Sequence, residues 1–295
     1  MTGPRILVVG EAMVEFVREG AGEIAEPGCF RGPFPSGAPA IVADAAALAG
    51  ADVRLVSTVG ADPFGALVLA RLRHDGVDVR RVRPVDGATT GSAFVAYRPD
   101  GSRSFVFNVE EAAPGRIEES DLAAEPESAD VLHVSGSSLA LSSAMARVVT
   151  SAADRVQAAG GRLSLDVNLR AEGPSASDAT RAIADLITRA SFVIAAADEA
   201  AEVSEALAVA RSRGAVVCVT AGARGASVSF EGAEHEVEGL PADEVDPTGA
   251  GDTFAGVFIT ALAQGEHPAR AAARANEAGA AHVSALGPME RLGWP

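Results

Sequence analysis

The chain has 295 residues, 48% of them hydrophobic and 22% charged, with a formal charge of −16. That apolar content excludes a disordered chain and suffices for one large domain with a small appendage. The acidity argues against the basic face of a nucleic-acid binder, and the absence of any lysine excludes P-loop, Schiff-base, PLP and protein-kinase β3-lysine chemistry.

Ile6 to Val9 reads as a buried strand ending at Gly10, with Val14 to Val17 as its continuation. The apolar run is short and broken by Glu11 and Glu15, so it is a strand and not a signal peptide. Residues 18–37, rich in Gly, Pro and Glu, read as strand and loop. Pro39 to Leu48 is an Ala-rich helix, Val53 to Val59 a strand, and Pro63 to His74 a helix with Phe64, Leu67, Val68 and Leu72 on one face. Strand, helix and strand in that order predict βαβ units and a parallel sheet. The period then changes. Ser92 to Tyr97 alternates, Arg98-Pro99-Asp100-Gly101 turns, and Ser104 to Val109 alternates again, a hairpin placed outside the main sheet. Strands follow at Val131–Val134, Arg162–Asp166, Phe192–Ile194 and Val216–Thr220, with helices at about 141–159, 178–189 and 199–213 between them. Val228 to Phe230 and Glu236 to Glu238 form a late antiparallel pair, before helices near 250–263 and 268–285. No apolar stretch reaches the roughly 18 residues of a membrane span. Cys29 and Cys218 form no CxxC pair, which fits a reducing cytoplasm, and the five His show no zinc spacing.

The segment Asp246-Pro247-Thr248-Gly249-Ala250-Gly251-Asp252-Thr253-Phe254 carries the chemistry. Gly249 and Gly251 permit a tight turn, so that successive N–H groups meet an anion at the positive end of the following helix without a lysine. A carboxylate there, Asp252, is either a cap or the acceptor of a proton from an attacking hydroxyl in phosphoryl transfer. Because Phe254 takes the last glycine's place, the segment is no dinucleotide fingerprint, and Gly10-Glu11-Ala12-Met13 supplies none after the first strand. His133 with Ser135, Ser137 and Ser138 invites a hydrolase reading, but G-x-S-x-G is absent and a core histidine is the plainer account. Cys218 reads as inert core.

The segment resembles the signature of the PfkB, or ribokinase-like, family of carbohydrate kinases. Four further blocks resemble the family's motifs in order: Pro35-Ser36-Gly37-Ala38-Pro39-Ala40; Val59-Gly60-Ala61-Asp62-Pro63-Phe64-Gly65 with Asp75-Gly76-Val77; Asp166-Val167-Asn168-Leu169-Arg170; and Val219-Thr220-Ala221-Gly222-Ala223-Arg224-Gly225. The resemblance implies an α/β fold, a three-layer ribokinase-like core with a central, mostly parallel sheet. Residues 1–14, 36–88 and 113–295 would form this core, and 15–35 and 89–112 a small β-sheet lid over the sugar. It implies Asp252 as general base and Gly249, Ala250 and Gly251 as the anion hole. Thr220, Gly222, Gly225 and Asn276, with Gly249 and Gly251, would face ATP. Glu11, Ser36, Gly37, Ala38, Tyr97, Asn168, Arg170 and Asp252 would face the sugar. Asp246 and Thr248 fall where many members hold a monovalent cation such as K+.

The pattern also departs from the family. Ile41 stands where Asn is frequent, and Ser36 replaces a glycine. The N-x-x-E motif that holds the Mg2+ water shell is missing its Asn in Ala195-Ala196-Ala197-Asp198-Glu199, which leaves Glu199 or Glu202 to serve. Gly10 to Glu15 is similar to the start of 2-keto-3-deoxygluconate, fructose and tagatose kinases, and the blocks at residues 32–40, 90–95 and 101–108 look most like tagatose kinase-type members. Tyr97 is either a surface aromatic or a sugar contact. Arg170 pairs with a substrate carboxylate or with a core acid, and Arg103 is a second candidate for an anionic substrate. The expectation is ATP- and Mg2+-dependent phosphorylation of a primary hydroxyl of a small sugar, a ketohexose or 2-keto-3-deoxygluconate. The alternative is a catalytically impaired sugar- or nucleotide-binding member of the fold. Expected partners are sugar and ATP, without nucleic acid or membrane, and a homodimer through the lid edge.

Overall fold

The computed structural model describes residues 3–98, 102–169 and 176–290. Its strands are β1 (Arg5–Val9), β2 (Met13–Arg18), β3 (Phe30–Ser36), β4 (Asp52–Gly60), β5 (Asp78–Val85), β6 (Gly91–Tyr97), β7 (Arg103–Asn108), β8 (Val131–Ser135), β9 (Arg162–Asp166), β10 (Phe192–Ala196), β11 (Val216–Thr220), β12 (Gly225–Phe230) and β13 (Ala233–Glu238). Its helices are α1 (Ala38–Leu48), α2 (Pro63–His74), α3 (Gly136–Leu141), α4 (Ser143–Ala158), α5 (Ala176–Arg189), α6 (Ala197–Glu202), α7 (Ser204–Ser212), α8 (Ala250–Ala263) and α9 (Pro268–His282).

Strand β1 shows why the core has two halves. Ile6 and Val8 join one buried cluster, and Leu7 and Val9 the other. A strand covered on both faces must be apolar throughout, as this one is. Nine strands form the large sheet in the order β13-β12-β11-β10-β9-β8-β1-β4-β5. The pairs from β5 through β11 are parallel, and β12 and β13 add antiparallel pairs at one edge. Ile41 of α1, Leu72 of α2, Phe258 of α8 and Ala275 of α9 pack on one face. Leu139 of α3, Val149 of α4, Ile183 of α5 and Leu207 of α7 pack on the other. The result is three layers. The chain leaves β1 toward β4 and β5 and later lays β8 on the opposite side, so the order reverses between β1 and β8. In such sheets ligands gather beyond the C-terminal strand ends at the reversal.

The smaller sheet has the order β3-β2-β6-β7. Phe16 stacks on Phe94 at 5.0 Å between centroids, Phe30 meets Phe94 edge-on, and Phe16 meets Phe64 of α2 at 5.9 Å. These rings fasten the small sheet to the large layer. Its edge strand β7 exposes Val106 and Phe107. Among the described residues no helix is long and apolar enough to cross a membrane.

Several expectations are corrected. Val14 to Val17 do not continue β1; they belong to β2, in the other sheet, which starts at Met13. Strand β5 was not anticipated. Its sequence DVRRVRPV carries three Arg and a Pro, which suit an edge strand. Arg83 pairs there with Asp121 at 2.6 Å and Arg81 with Glu125 at 3.1 Å. The helix expected over about 141–159 is α4, which starts where the Ser142 hydroxyl caps Met145 N–H, and the short helix α3 before it was not anticipated. The helix expected over 199–213 breaks at Val203 into α6 and α7.

Candidate active site

The site is built around the start of α8. Gly249 is its N-cap with φ +84°, a left-handed conformation that a side chain resists. The helix then begins with Ala250, Gly251 and Asp252, the last half-buried in the first turn. Nothing lies within 4 Å of the place a Gly251 Cβ would take. One expected donor is otherwise engaged: Ala250 N–H donates to the Pro247 carbonyl at 3.2 Å, closing the turn. The N–H groups that follow it lie at the positive end of the helix.

The loop before α8 is held by buried polar groups. Asp246 is 1% exposed. Its Oδ1 accepts from Thr248 N–H at 3.0 Å and from the Tyr97 hydroxyl at 2.6 Å, and its Oδ2 accepts from Gly287 N–H at 3.0 Å. The Thr248 hydroxyl lies 2.8 Å from that of Tyr97. Burial and the neighbouring Asp246 push the Tyr97 hydroxyl's pKa up, so it stays protonated. Tyr97 was read as a surface aromatic or a sugar contact. Its hydroxyl ties the end of β6 to the loop before α8.

Glu15, in β2, was not singled out from the sequence beyond its interruption of an apolar run. It shares a period-two register with Met13 and Val17, all three buried, and that is the signal that marks it. Burial first, then the charges of Asp246 and Asp252, push its carboxyl up to about 8, against a hydrogen bond from Ser36 and the charge of Arg103. Ser36 Oγ donates to Glu15 Oε2 at 3.3 Å, and Oε1 is buried with no hydrogen-bond partner. Ser36 leads into Gly37 and Ala38 at the start of α1. Gly37 has φ +107°, and a Cβ there would meet the Glu11 carbonyl at 2.6 Å. Glu11 itself is corrected. Its carboxylate accepts from Ser137 Oγ at 2.7 Å and Ser138 Oγ at 2.5 Å, which makes it a framework acid joining the β1 end to α3.

On the other side, Thr220 ends β11 and donates to the Ala195 carbonyl at 3.4 Å, Gly222 takes φ +58°, and Gly225 takes φ +100° where β12 begins. Asn276 of α9 donates to the Glu238 carbonyl at 3.1 Å, so its amide is fixed beside this strand pair. Asn168, after β9, has φ +31°, a conformation Asn tolerates. Arg170 lies outside the described residues. Glu199 accepts Leu169 N–H at 2.8 Å and Ala196 N–H at 2.9 Å, joining the β9 and β10 ends. His133 is fully buried, its pKa lowered by desolvation to about 3, beside Ser164 at 3.1 Å; it is a neutral core residue. Cys218 is buried, its thiol pushed up by burial.

The pfkB family carbohydrate kinase profile matches residues 4–293. The 2-dehydro-3-deoxygluconokinase of Thermoproteus tenax is 33% identical over 85% of this chain and 80% of its own. The fructokinase of Escherichia coli is 31% identical over 88% and 84%. An E. coli structure described as ribokinase II, in complex with ATP and Mg2+, superposes with a TM-score of 0.90 at 34% identity, covering 98% of this chain and 95% of that one. A double mutant of Vibrio cholerae fructokinase, with fructose, ADP and a potassium ion, does so with 0.86 at 26%, covering 98% and 95%. With the profile matched over nearly the whole chain and relatives at 31–34% identity, the chain belongs to the pfkB family carbohydrate kinases, and it is a sugar kinase.

Proposed function

We propose that this kinase phosphorylates a primary hydroxyl of a neutral ketohexose, fructose or tagatose, from ATP. The observation that carries the choice is the buried Glu15 carboxyl. Asp246 and Asp252 both raise the Glu15 carboxyl, which means that the field at that point is negative and opposes a carboxylate substrate. A neutral polyol suits it, because a sugar hydroxyl can satisfy the buried Oε1 that now lacks a partner. The reading of 2-keto-3-deoxygluconate keeps two supports, the 33% identity to the 2-dehydro-3-deoxygluconokinase of Thermoproteus tenax and the positive charge of Arg103 acting on Glu15.

In this reading the two sheets enclose the sugar, Ser36 to Ala38 and Asn168 border it, and the lid comprises 15–35 and 89–112. Asp252, in the first turn of α8, takes the proton from the attacking hydroxyl. The open N–H groups at the helix start and the helix dipole hold the moving phosphoryl oxygens. Positioning supplies most of the rate, because the transition state is loose. Thr220, Gly222, Gly225 and Asn276 border the nucleotide. Mg2+ bound with ATP supplies charge neutralisation on the phosphates, and Glu199 is the residue that would hold its water. Partners are sugar and ATP, with a second copy pairing along β7.

The test is coupled ADP release with fructose, tagatose, 2-keto-3-deoxygluconate, ribose and adenosine. Turnover on a ketohexose is expected, falling at least about a hundredfold in Asp252→Asn while sugar binding by calorimetry persists. A preference for the sugar acid would reject the neutral-substrate reading. Binding without turnover on any sugar would favour the impaired-binder alternative.

A further inference from the structure

A monovalent cation at Asp246 and Thr248 would need oxygen lone pairs, as K+ sites are built from such oxygens. Thr248 has two oxygens to offer. Its carbonyl lies 2.6 Å from His282 Nε2, and its hydroxyl 2.8 Å from the Tyr97 oxygen. Asp246 has two more, and they receive the Tyr97 hydroxyl, Thr248 N–H and Gly287 N–H. Each of the four oxygens faces a polar group of the chain itself. The residues do not fit a cation in this arrangement.

The decisive group is His282. It is fully buried at the end of α9. A carbonyl only accepts, so Nε2 carries the proton toward Thr248, and Nδ1 accepts from the Thr253 hydroxyl at 2.9 Å. The ring therefore grips the catalytic segment on both sides, one residue before Gly249 and one after Asp252. It packs against the turn as well: a Cβ on Gly249 would sit 3.2 Å from Cε1 and Nε2. Next to it the Val283 carbonyl accepts Val245 N–H at 2.7 Å and Asp246 N–H at 3.1 Å.

We infer that this kinase orders its phosphate-binding turn without a monovalent cation, using His282 as the positioning residue and Tyr97 and Gly287 as donors to Asp246. The inference rests on the kinase activity but not on which sugar is used. An N–H on a buried carbonyl and three donors on a buried carboxylate place positive dipole ends where an ion would place its charge. An ion entering at the Thr248 carbonyl would meet the proton of His282.

The experiment compares about 100 mM KCl with tetramethylammonium chloride at equal ionic strength, by thermal melting of the whole protein and by turnover. The expected result is the same Tm in both salts and turnover equal within about twofold. A K+-specific rise in Tm, or turnover more than about tenfold higher in K+, overturns the inference. His282→Ala should lose turnover and regain part of it with K+, as the freed carbonyl becomes available. His282→Gln, which keeps an N–H donor, should stay nearer wild type and salt-insensitive. A loss in His282→Ala that K+ does not relieve, in a variant that still melts cooperatively, overturns the role given to His282. If His282→Ala does not fold, the wild-type salt comparison and His282→Gln decide. If no sugar in the panel is phosphorylated, the substrate reading fails while the melting comparison still decides this one.

Discussion

Glu15 is a carboxylic acid that the fold keeps protonated near neutrality. Its carboxyl is pushed from the ordinary 4.5 up to about 8 by burial and by Asp246 and Asp252. Between those two values the folded chain holds a proton that the unfolded chain has released. Folding is therefore unpenalised by this group below about pH 4.5, and stability is lost as pH rises through about 8. Glu15→Gln removes the titration and keeps the shape. The variant should match wild type near pH 5 and exceed it by roughly 3–5 kcal/mol above pH 8.5, seen as a Tm gap that widens with pH. A constant gap across the range would mean that Glu15 does not carry the pH dependence. The sequence makes Glu15 visible only as an acid in an apolar strand. The two charges that raise it come from residues more than two hundred positions away.

At the level of elements, the N-terminus of α2 shows what the second sequence block does. Asp62 caps Gly65 N–H at 2.8 Å and also accepts Thr90 N–H and Thr90 Oγ, each at 2.7 Å. Thr90 in turn bonds Gly60 N–H at 3.0 Å. One carboxylate thus fixes a helix start and the entry to β6, where the small sheet begins. Asp62→Ala removes a cap and strands a buried threonine. It should cost about 2–3 kcal/mol in denaturant melts, more than the roughly 1 kcal/mol of a cap alone. A loss confined to the smaller figure would show that Thr90 finds another partner. The start of α8 was legible because glycine and acid spacing is local. Strand β5 was not, because its Arg and Pro suit an edge position that only sheet order defines.

For the whole molecule, a contact that joins the small sheet to the loop before α8 is Tyr97 on Asp246. β6 belongs to the small sheet and Asp246 to the loop before α8, 149 residues away. Tyr97→Phe keeps the ring and removes that bond. A hydrogen bond to a charged group is worth about 1.5–3 kcal/mol, so kcat/KM should fall at least about tenfold. Amide exchange in 91–97 should rise together with that in the 246–248 loop. Faster exchange in β6 alone would mean that the two regions are not coupled through this bond.

By itself the sequence determined the βαβ units of a parallel sheet, a hairpin outside that sheet and the glycine turn into α8, while the three layers were implied by the resemblance of its motifs to a family. Apolar period, glycine placement and short motifs act over a few residues, and composition excluded whole classes of chemistry. The tertiary structure decided which polar groups share that loop. Glu11 went to two serines, Tyr97 to Asp246, and His282 to Thr248 and Thr253. Those choices depend on burial and on donors and acceptors brought together from distant segments, where an unpaired group is costly. No local pattern records them.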